Sequence, residues 1–415
     1  VISDVGMRRA TNQDSMMVMV AESKAAWEKL GHVFIVADGM GAHAAGELAS
    51  KLAVELIPHR YLKLSDFPPA EAMHKAIAET NAEIYRRGQA NIEFRSMGTT
   101  CSVLTLLPEG AVVAHVGDSR VYQLRGEQFF QLTFDHSLVW EMQAAGEVTD
   151  ETARSGVIPK NVITRSLGPN AQVQIDLEGP FPMRVGDRFL LCSDGLSGQI
   201  SDEELGVLLR VLPPQKAAQM FVDLSNLRGG PDNITAIVVE VAEQRITTAQ
   251  QGSIAVRRNG KRRSFSPALG VITAVCFSAA LILLFSNAAL AIILAALGAI
   301  ALLTGLAQVY WTQGETSEAG SRYGNGPYRQ YSAAAEAELF EHLVGTLKSL
   351  REAAEERSWK INWEEINLRF SQALTVADGK QFSQAVRLQS EVIIDLLAQI
   401  RRQREQPPAD SAIDL

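Results

Sequence analysis

The stretch Val33-Phe34-Ile35-Val36-Ala37-Asp38-Gly39-Met40-Gly41 passes from an unbroken apolar run straight into an aspartate set among glycines. A short apolar run of this kind reads as a strand buried on both faces. Four further runs share the character, at 101–107, 111–116, 188–192 and 234–241. Stretches at 44–64 and 69–87 read as helices laid beside them. Consecutive buried strands with helices outside imply a layered fold with packed sheets over residues 1–242.

The residues at the strand ends carry the chemistry. Asp38-Gly39 follows the first run, and His115-Val116-Gly117-Asp118-Ser119-Arg120 lies between two others. Cys192-Ser193-Asp194-Gly195 follows a fourth, and Gly229-Gly230-Pro231-Asp232-Asn233-Ile234-Thr235 leads into the last. A lone Asp-Gly is ordinarily a turn. Aspartates on several strands of one sandwich can converge at one end, where they repel unless cations neutralise them. Oxygen ligands without His or Cys suit Mg2+ or Mn2+ rather than zinc. At Gly39 the absence of a side chain lets the backbone carbonyl approach such a cation.

Composition narrows the field. With 47% hydrophobic and 21% charged residues among 415, the chain is not disordered as a whole. A net charge of −8 argues against a nucleic-acid partner, which requires a cationic footprint. The three cysteines, Cys101, Cys192 and Cys276, cannot build a disulfide framework and fit a reducing compartment. Neither a Gly-x-Ser-x-Gly elbow nor a Walker phosphate loop is present, and the seven histidines never pair at zinc spacing. Neither Cys101 nor Cys192 is followed by the arginine that a cysteine phosphatase needs.

Seven segments in order carry a resemblance. They are Ser3-Asp4-Val5-Gly6 with Arg9 and Asn12-Gln13-Asp14, then Ala37-Asp38-Gly39-Met40-Gly41, Gly98-Thr99-Thr100 and Val116-Gly117-Asp118-Ser119-Arg120. The series continues through 161–168, Cys192-Ser193-Asp194-Gly195-Leu196 and Gly230-Pro231-Asp232-Asn233-Ile234-Thr235. Together they resemble the bacterial metal-dependent protein phosphatases, the PPM family or protein phosphatase type 2C, over residues 1 to about 242. The resemblance implies an α+β fold, a four-layer α-β-β-α sandwich with a metal site at one end. It implies hydrolysis of phosphoserine and phosphothreonine on proteins by a metal-activated water, with two to three Mn2+ or Mg2+ as cofactors.

Position by position, the resemblance makes Asp38 the bridge between two cations. Asp194 and Asp232 would complete one, the Gly39 carbonyl would bind the other, and Asp118 with Asp194 would hold a third. Asp14 would hold metal-bound water, Arg9 would contact the substrate phosphate, and Asn233 would buttress Asp232. Gln13 stands where many relatives have an acid, so it can hydrogen-bond water but brings no charge. Met40 stands where animal members place a histidine proposed as general acid, and methionine cannot donate a proton. His43 is a nearby candidate donor, with the start of the following helix as its plainer role. Residues 134–167 resemble the family's flap beside the site.

The rest of the chain lies outside the resemblance. Residues 243–266 form a basic linker, able to set topology or meet anionic lipid. Residues 268–285 and 290–311 carry no charge and read as a two-span transmembrane hairpin, with both flanking regions cytoplasmic. A flexible spacer is expected at 312–332 and a helical region at 333–404 that offers a protein-partner or self-association surface. A disordered tail is expected from 405. The sequence therefore reads as a membrane-anchored, metal-dependent serine/threonine protein phosphatase acting on phosphoproteins. The alternative is a weak or inactive scaffold of the same fold in a membrane signalling complex.

Overall fold

The computed structural model describes residues 1–41, 44–149, 152–153, 158–159, 162–248, 267–310 and 323–405. They form two compact units, one of residues 1–256 with 321–415 and one of residues 257–320.

In chain order the first unit contains β1 (Ile2–Asp4), β2 (Asp14–Met19), α1 (Lys24–Leu30), β3 (His32–Met40), α2 (Ala45–Lys63) and α3 (Pro69–Ala90). There follow β4 (Gly98–Thr99), β5 (Cys101–Leu107), β6 (Gly110–Val116), β7 (Arg120–Arg125), β8 (Gln128–Gln131), α4 (Leu138–Ala145), β9 (Asp176–Phe181) and β10 (Arg188–Cys192). After a single turn at Asp194–Ser197 come α5 (Asp202–Val211), α6 (Pro214–Leu227) and β11 (Ile234–Glu240). The second unit contributes α7 (Pro267–Leu283) and α8 (Ala288–Tyr310). Back in the first unit are β12 (Arg329–Ser332), α9 (Ala337–Glu356), α10 (Trp363–Asp378) and α11 (Phe382–Glu405).

Two antiparallel sheets result, ordered β1-β11-β10-β7-β8-β12 and β2-β3-β5-β6-β9. Period-two alternation explains why these runs are apolar throughout. On β3, Val33, Ile35 and Ala37 pack with Ala49, Ile57 and Ile77 of α2 and α3. Phe34 and Val36 point the other way and meet Phe130, Phe189, Leu191 and Ile237 of the facing sheet. On β10, Leu190 and Cys192 turn outward to Leu205, Leu208 and Phe221 of α5 and α6. The layers are thus helix, sheet, sheet, helix.

The outer helical layer is thickened by the C-terminal helices. Leu343, Val386, Ile393 and Leu396 are buried in one apolar cluster with Leu209, Phe221 and Tyr122. An ion pair joins Arg401 to the buried Asp223, and Lys216 Nζ lies 2.9 Å from Glu391. The helices read from the sequence as a surface for another protein therefore bury apolar faces against their own chain. The region read as a flexible spacer includes β12, which pairs with β8 from Arg329↔Gln131 to Ser332↔Gln128. Most of the basic linker, residues 312–322 and the tail from 406 lie outside the described residues.

The transmembrane hairpin and the membrane location are corrected. Among the described residues no helix is long and apolar enough to cross a membrane. The uncharged run at 268–285 overstates its helix, because Ser286 and Asn287 turn their amides back to the Leu283 carbonyl and α7 stops after 17 residues. That is roughly 26 Å of helix against the roughly 30 Å of a bilayer core. The two helices pack on each other through small residues, with Ala280, Ala291 and Ala301 buried. A Cβ at Gly298 would come within 3.2 Å of Cys276.

Because the helices α5 and α6 of the sandwich and the C-terminal helices share one cluster, they should unfold together. Leu396→Ala is expected to cost about 2–4 kcal/mol and to shift a single denaturant transition. A separate early transition reported by Trp359 and Trp363 in α10 and its approach would contradict the shared core.

Candidate functional site

Strand pairing assembles the acidic residues. Asp14 opens β2 directly opposite Asp38 on β3. The Asp38 backbone is locked: its amide donates to Thr100 Oγ1 (2.8 Å) and its carbonyl accepts from the Thr100 amide (2.9 Å) and Thr99 Oγ1 (2.9 Å). Gly39 is required by close packing, since a Cβ there would lie 2.2 Å from the Gly46 carbonyl oxygen at the start of α2. Its amide donates to the Gln13 carbonyl (3.1 Å). Met40 pairs with Gly98 on β4. His43 and Ala42 lie outside the described residues.

Asp118 follows Gly117, whose φ of +114° and 2.6 Å approach to Thr100 admit only glycine. Asp194 begins the turn after β10, and Gly195 lets that turn press on the Asn233 carbonyl oxygen. Asp232 precedes β11, with its Oδ1 accepting from the Asn233 amide at 2.9 Å. The Asn233 side chain does further work. Its Nδ2 donates to the Val5 and Thr11 carbonyls and its Oδ1 accepts from the Gln13 amide, so it pins the loop that carries Arg9. Arg9 Nη2 donates to Asp232 Oδ2 at 2.7 Å, with the arginine side chain half exposed.

Burial and mutual repulsion dominate the electrostatics. Burial pushes the Asp38 carboxyl well above the usual carboxylate range, and Asp14, Asp194 and Asp118 push it further. Asp38 is hydrogen-bonded to Asp194, which is itself raised by burial and by Asp232. Asp118 is raised by burial and by Asp194, with Arg120 opposing. Asp14 is raised to about 6 by burial, although Ser193 Oγ donates to it at 2.7 Å. The Arg9 hydrogen bond to Asp232 holds its guanidinium charged. Burial pushes the Cys101 thiol up to about 12 and raises that of Cys192, which removes both as thiolate nucleophiles.

The donor set fits hard divalent cations. Asp14 Oδ1, Asp118 Oδ1 and Asp194 Oδ1 are buried without a hydrogen-bond partner, a costly state for carboxylates that a cation would relieve. Among the described residues no three His, Cys, Asp or Glu side chains gather tightly enough to enclose an ion by themselves. A cation bound here would draw its remaining ligands from backbone carbonyls and water, which would suit Mg2+ or Mn2+ better than zinc.

Sequence reasoning missed the polar frame behind these aspartates. His136 Nδ1 accepts from the Gly117 amide (3.0 Å), its own amide donates to the Gly117 carbonyl (2.7 Å), and its Nε2 lies 2.9 Å from Asp176 Oδ2. His115 Nδ1 meets Ser102 Oγ at 2.9 Å, and burial lowers its pKa to about 3. Arg120 is held in ion pairs with Asp135 and Asp202. A histidine two residues before Gly117 was the available signal. Its partners lie across the fold.

These charges have a sign that can be measured. Between its unfolded value near 4 and its folded value of about 6, Asp14 binds more proton in the folded state. In chelator its contribution to stability is therefore present at low pH and lost as pH rises through 6. The loss is on the order of 3 kcal/mol. Comparing wild type with Asp14→Asn by denaturant unfolding from pH 4 to 7 should show this component in wild type only. Parallel curves would contradict it.

Comparison with known proteins agrees with this geometry. Residues 8–227 match the family model described as protein phosphatase 2C. Protein phosphatase PhpP of Streptococcus pneumoniae is 36% identical over 249 residues, 59% of this chain and 97% of that protein. The serine/threonine phosphatase stp of Listeria innocua is 35% identical, over 57% of this chain and 93% of its own. Among solved structures, the Mycobacterium tuberculosis serine/threonine phosphatase PstP/Ppp is 32% identical with a TM-score of 0.51, covering 58% of this chain and 97% of that one. The matched segment, more than half of the sequence, contains every proposed ligand except Asp232 and ends at Leu227, the last residue of α6. The chain belongs to the protein phosphatase 2C family.

Proposed function

We propose that this serine/threonine protein phosphatase hydrolyses phosphoserine and phosphothreonine on proteins with divalent cations held by Asp38, Asp118, Asp194, Asp232 and the Gly39 carbonyl. The observation that supports this most is the set of partnerless, buried oxygens on Asp14, Asp118 and Asp194 at one end of the sandwich. When bound, the cations supply positive charge to the phosphoryl oxygens and lower the pKa of a water to near neutrality.

The chain's own residues do the rest. Arg9 keeps guanidinium donors beyond the one given to Asp232, and its planar fork suits two oxygens of a phosphate dianion. Asn233 fixes the loop on which Arg9 rides, so the guanidinium is positioned rather than searching. Ser193 orients Asp14, whose second oxygen is free of protein partners and can hold water. Met40 offers no proton, so protonation of the leaving Ser or Thr oxygen falls to water in the site.

The test uses the full chain and a phosphothreonine peptide. Turnover is expected with Mn2+ or Mg2+ and not in chelator, and Asp38→Asn should lower kcat/KM by about 100-fold or more. Full turnover in excess chelator, or wild-type rates for Asp38→Asn, would overturn the reading and favour the scaffold alternative.

Arg9→Ala makes a separate prediction. It should lower kcat/KM by about 10–100-fold, the worth of a charge-assisted hydrogen bond, while the half-saturating Mn2+ concentration stays within about twofold. Arg9→Lys should recover only part, because a point charge lacks the fork. If Arg8→Ala is instead the damaging variant, the phosphate contact belongs to the neighbouring residue.

A further inference from the structure

We propose that Arg329, the first residue of β12, and Tyr328 just before it clamp helix α4 beside the site and thereby set how tightly the enzyme grips a protein substrate. This rests on the phosphatase reading above. It concerns a segment well beyond residues 8–227, the part matched by the family model.

The segment 134–167 is rooted beside the aspartates at both ends. At its start, His136 exchanges hydrogen bonds with both backbone groups of Gly117, directly before Asp118. At its end, Leu167 and Thr99 exchange amide and carbonyl bonds (2.9 and 3.0 Å), and Thr99 is the β partner of Gly39. The two limbs are drawn into a neck, with the Leu138 amide on the Val162 carbonyl and the Thr164 amide on the His136 carbonyl, both 2.9 Å. Helix α4 rises from this neck.

An eight-residue helix is too short to persist alone. Thr164 Oγ1 donates to Glu141 on this helix at 2.6 Å, and the first residue of β12 adds two further contacts. The Arg329 guanidinium lies 3.8 Å from the centre of the Trp140 ring, and its Nη2 donates to Gln143 Oε1 at 3.1 Å. Trp140 and Gln143 are three apart and share one helix face. The Phe134 ring meets Trp140 edge-on at 5.2 Å and Tyr328 at 5.4 Å. Tyr328 is tied down by its hydroxyl on Glu178 and its amide on the Gln131 carbonyl. Because β12 is a strand of the sheet, the clamp is braced against the core rather than against another loop.

A phosphopeptide extends past its phosphate and meets whatever stands over the site. A small aryl phosphate does not. Releasing α4 should therefore weaken peptide binding and leave small-ester chemistry intact.

The experiment compares wild type, Arg329→Ala and Arg329→Lys in the full chain with Mn2+. Peptide KM should rise at least fivefold in Arg329→Ala, with kcat and the kinetics on p-nitrophenyl phosphate within twofold of wild type. Arg329→Lys should fall between, since it keeps a cation over Trp140 but loses the fork to Gln143. Hydrogen exchange gives a readout that needs no turnover: amides of 138–145 should exchange about tenfold faster in Arg329→Ala. Unchanged exchange, unchanged peptide KM or equal losses on both substrates would overturn the clamp. Absence of wild-type turnover on either substrate would instead count against the phosphatase reading, leaving exchange to judge the clamp.

Discussion

Carboxylates packed side by side out of water are the constraint around which this molecule is organised. Asp14, Asp38, Asp118 and Asp194 raise one another's affinity for protons, and burial adds to each. Such a cluster is unfavourable in a folded protein unless protons or cations enter it. Arg9 meets part of this demand through Asp232, and Arg120 lies close to Asp118. Neither arginine reaches the orphaned oxygens of Asp14, Asp118 and Asp194.

The fold supplies the rigidity that such crowding needs. Each aspartate sits where a strand begins or ends, with its backbone already committed. Glycines at 39, 117 and 195 let backbones approach so closely that a methyl group would collide with its neighbour. Asn233 threads three bonds through the N-terminal loop, so Arg9 is bound to the same framework as the acids it faces. The C-terminal helices add a further layer on the outer side of the β1-β11-β10-β7-β8-β12 sheet, and β12 is the edge strand of that sheet. Sequence beyond the matched family segment is thus built into the catalytic unit.

Much of the site was legible because its logic is local. An apolar run that leads into Asp-Gly declares a buried strand with an acid at its tip, as at Asp38 and Asp194, while Asp118 follows its strand through Gly117 and Asp232 precedes one. The supporting frame was not legible, because His136 and Asp176, or Tyr328 and Glu178, meet across 40 and 150 residues. Residues 323–332 have no periodicity to betray a strand. Their four-residue pairing with β8 is decided by a free sheet edge. The hairpin misled for a related reason: an uncharged run measures composition, whereas the turn at Leu283 sets the helix length. The bonds of the Asn233 side chain to Val5, Thr11 and Gln13 were likewise hidden, because those partners lie more than 200 residues away in sequence.

The central claim is that the aspartate cluster is a binding site for divalent cations. Calorimetric titration of the full chain with Mn2+ tests it without reference to turnover. The account predicts binding of at least two Mn2+ per chain, with proton release, and loss of at least one in Asp38→Asn while the far-ultraviolet circular dichroism stays unchanged. No Mn2+ binding, or identical stoichiometry and affinity in folded Asp38→Asn, would contradict it.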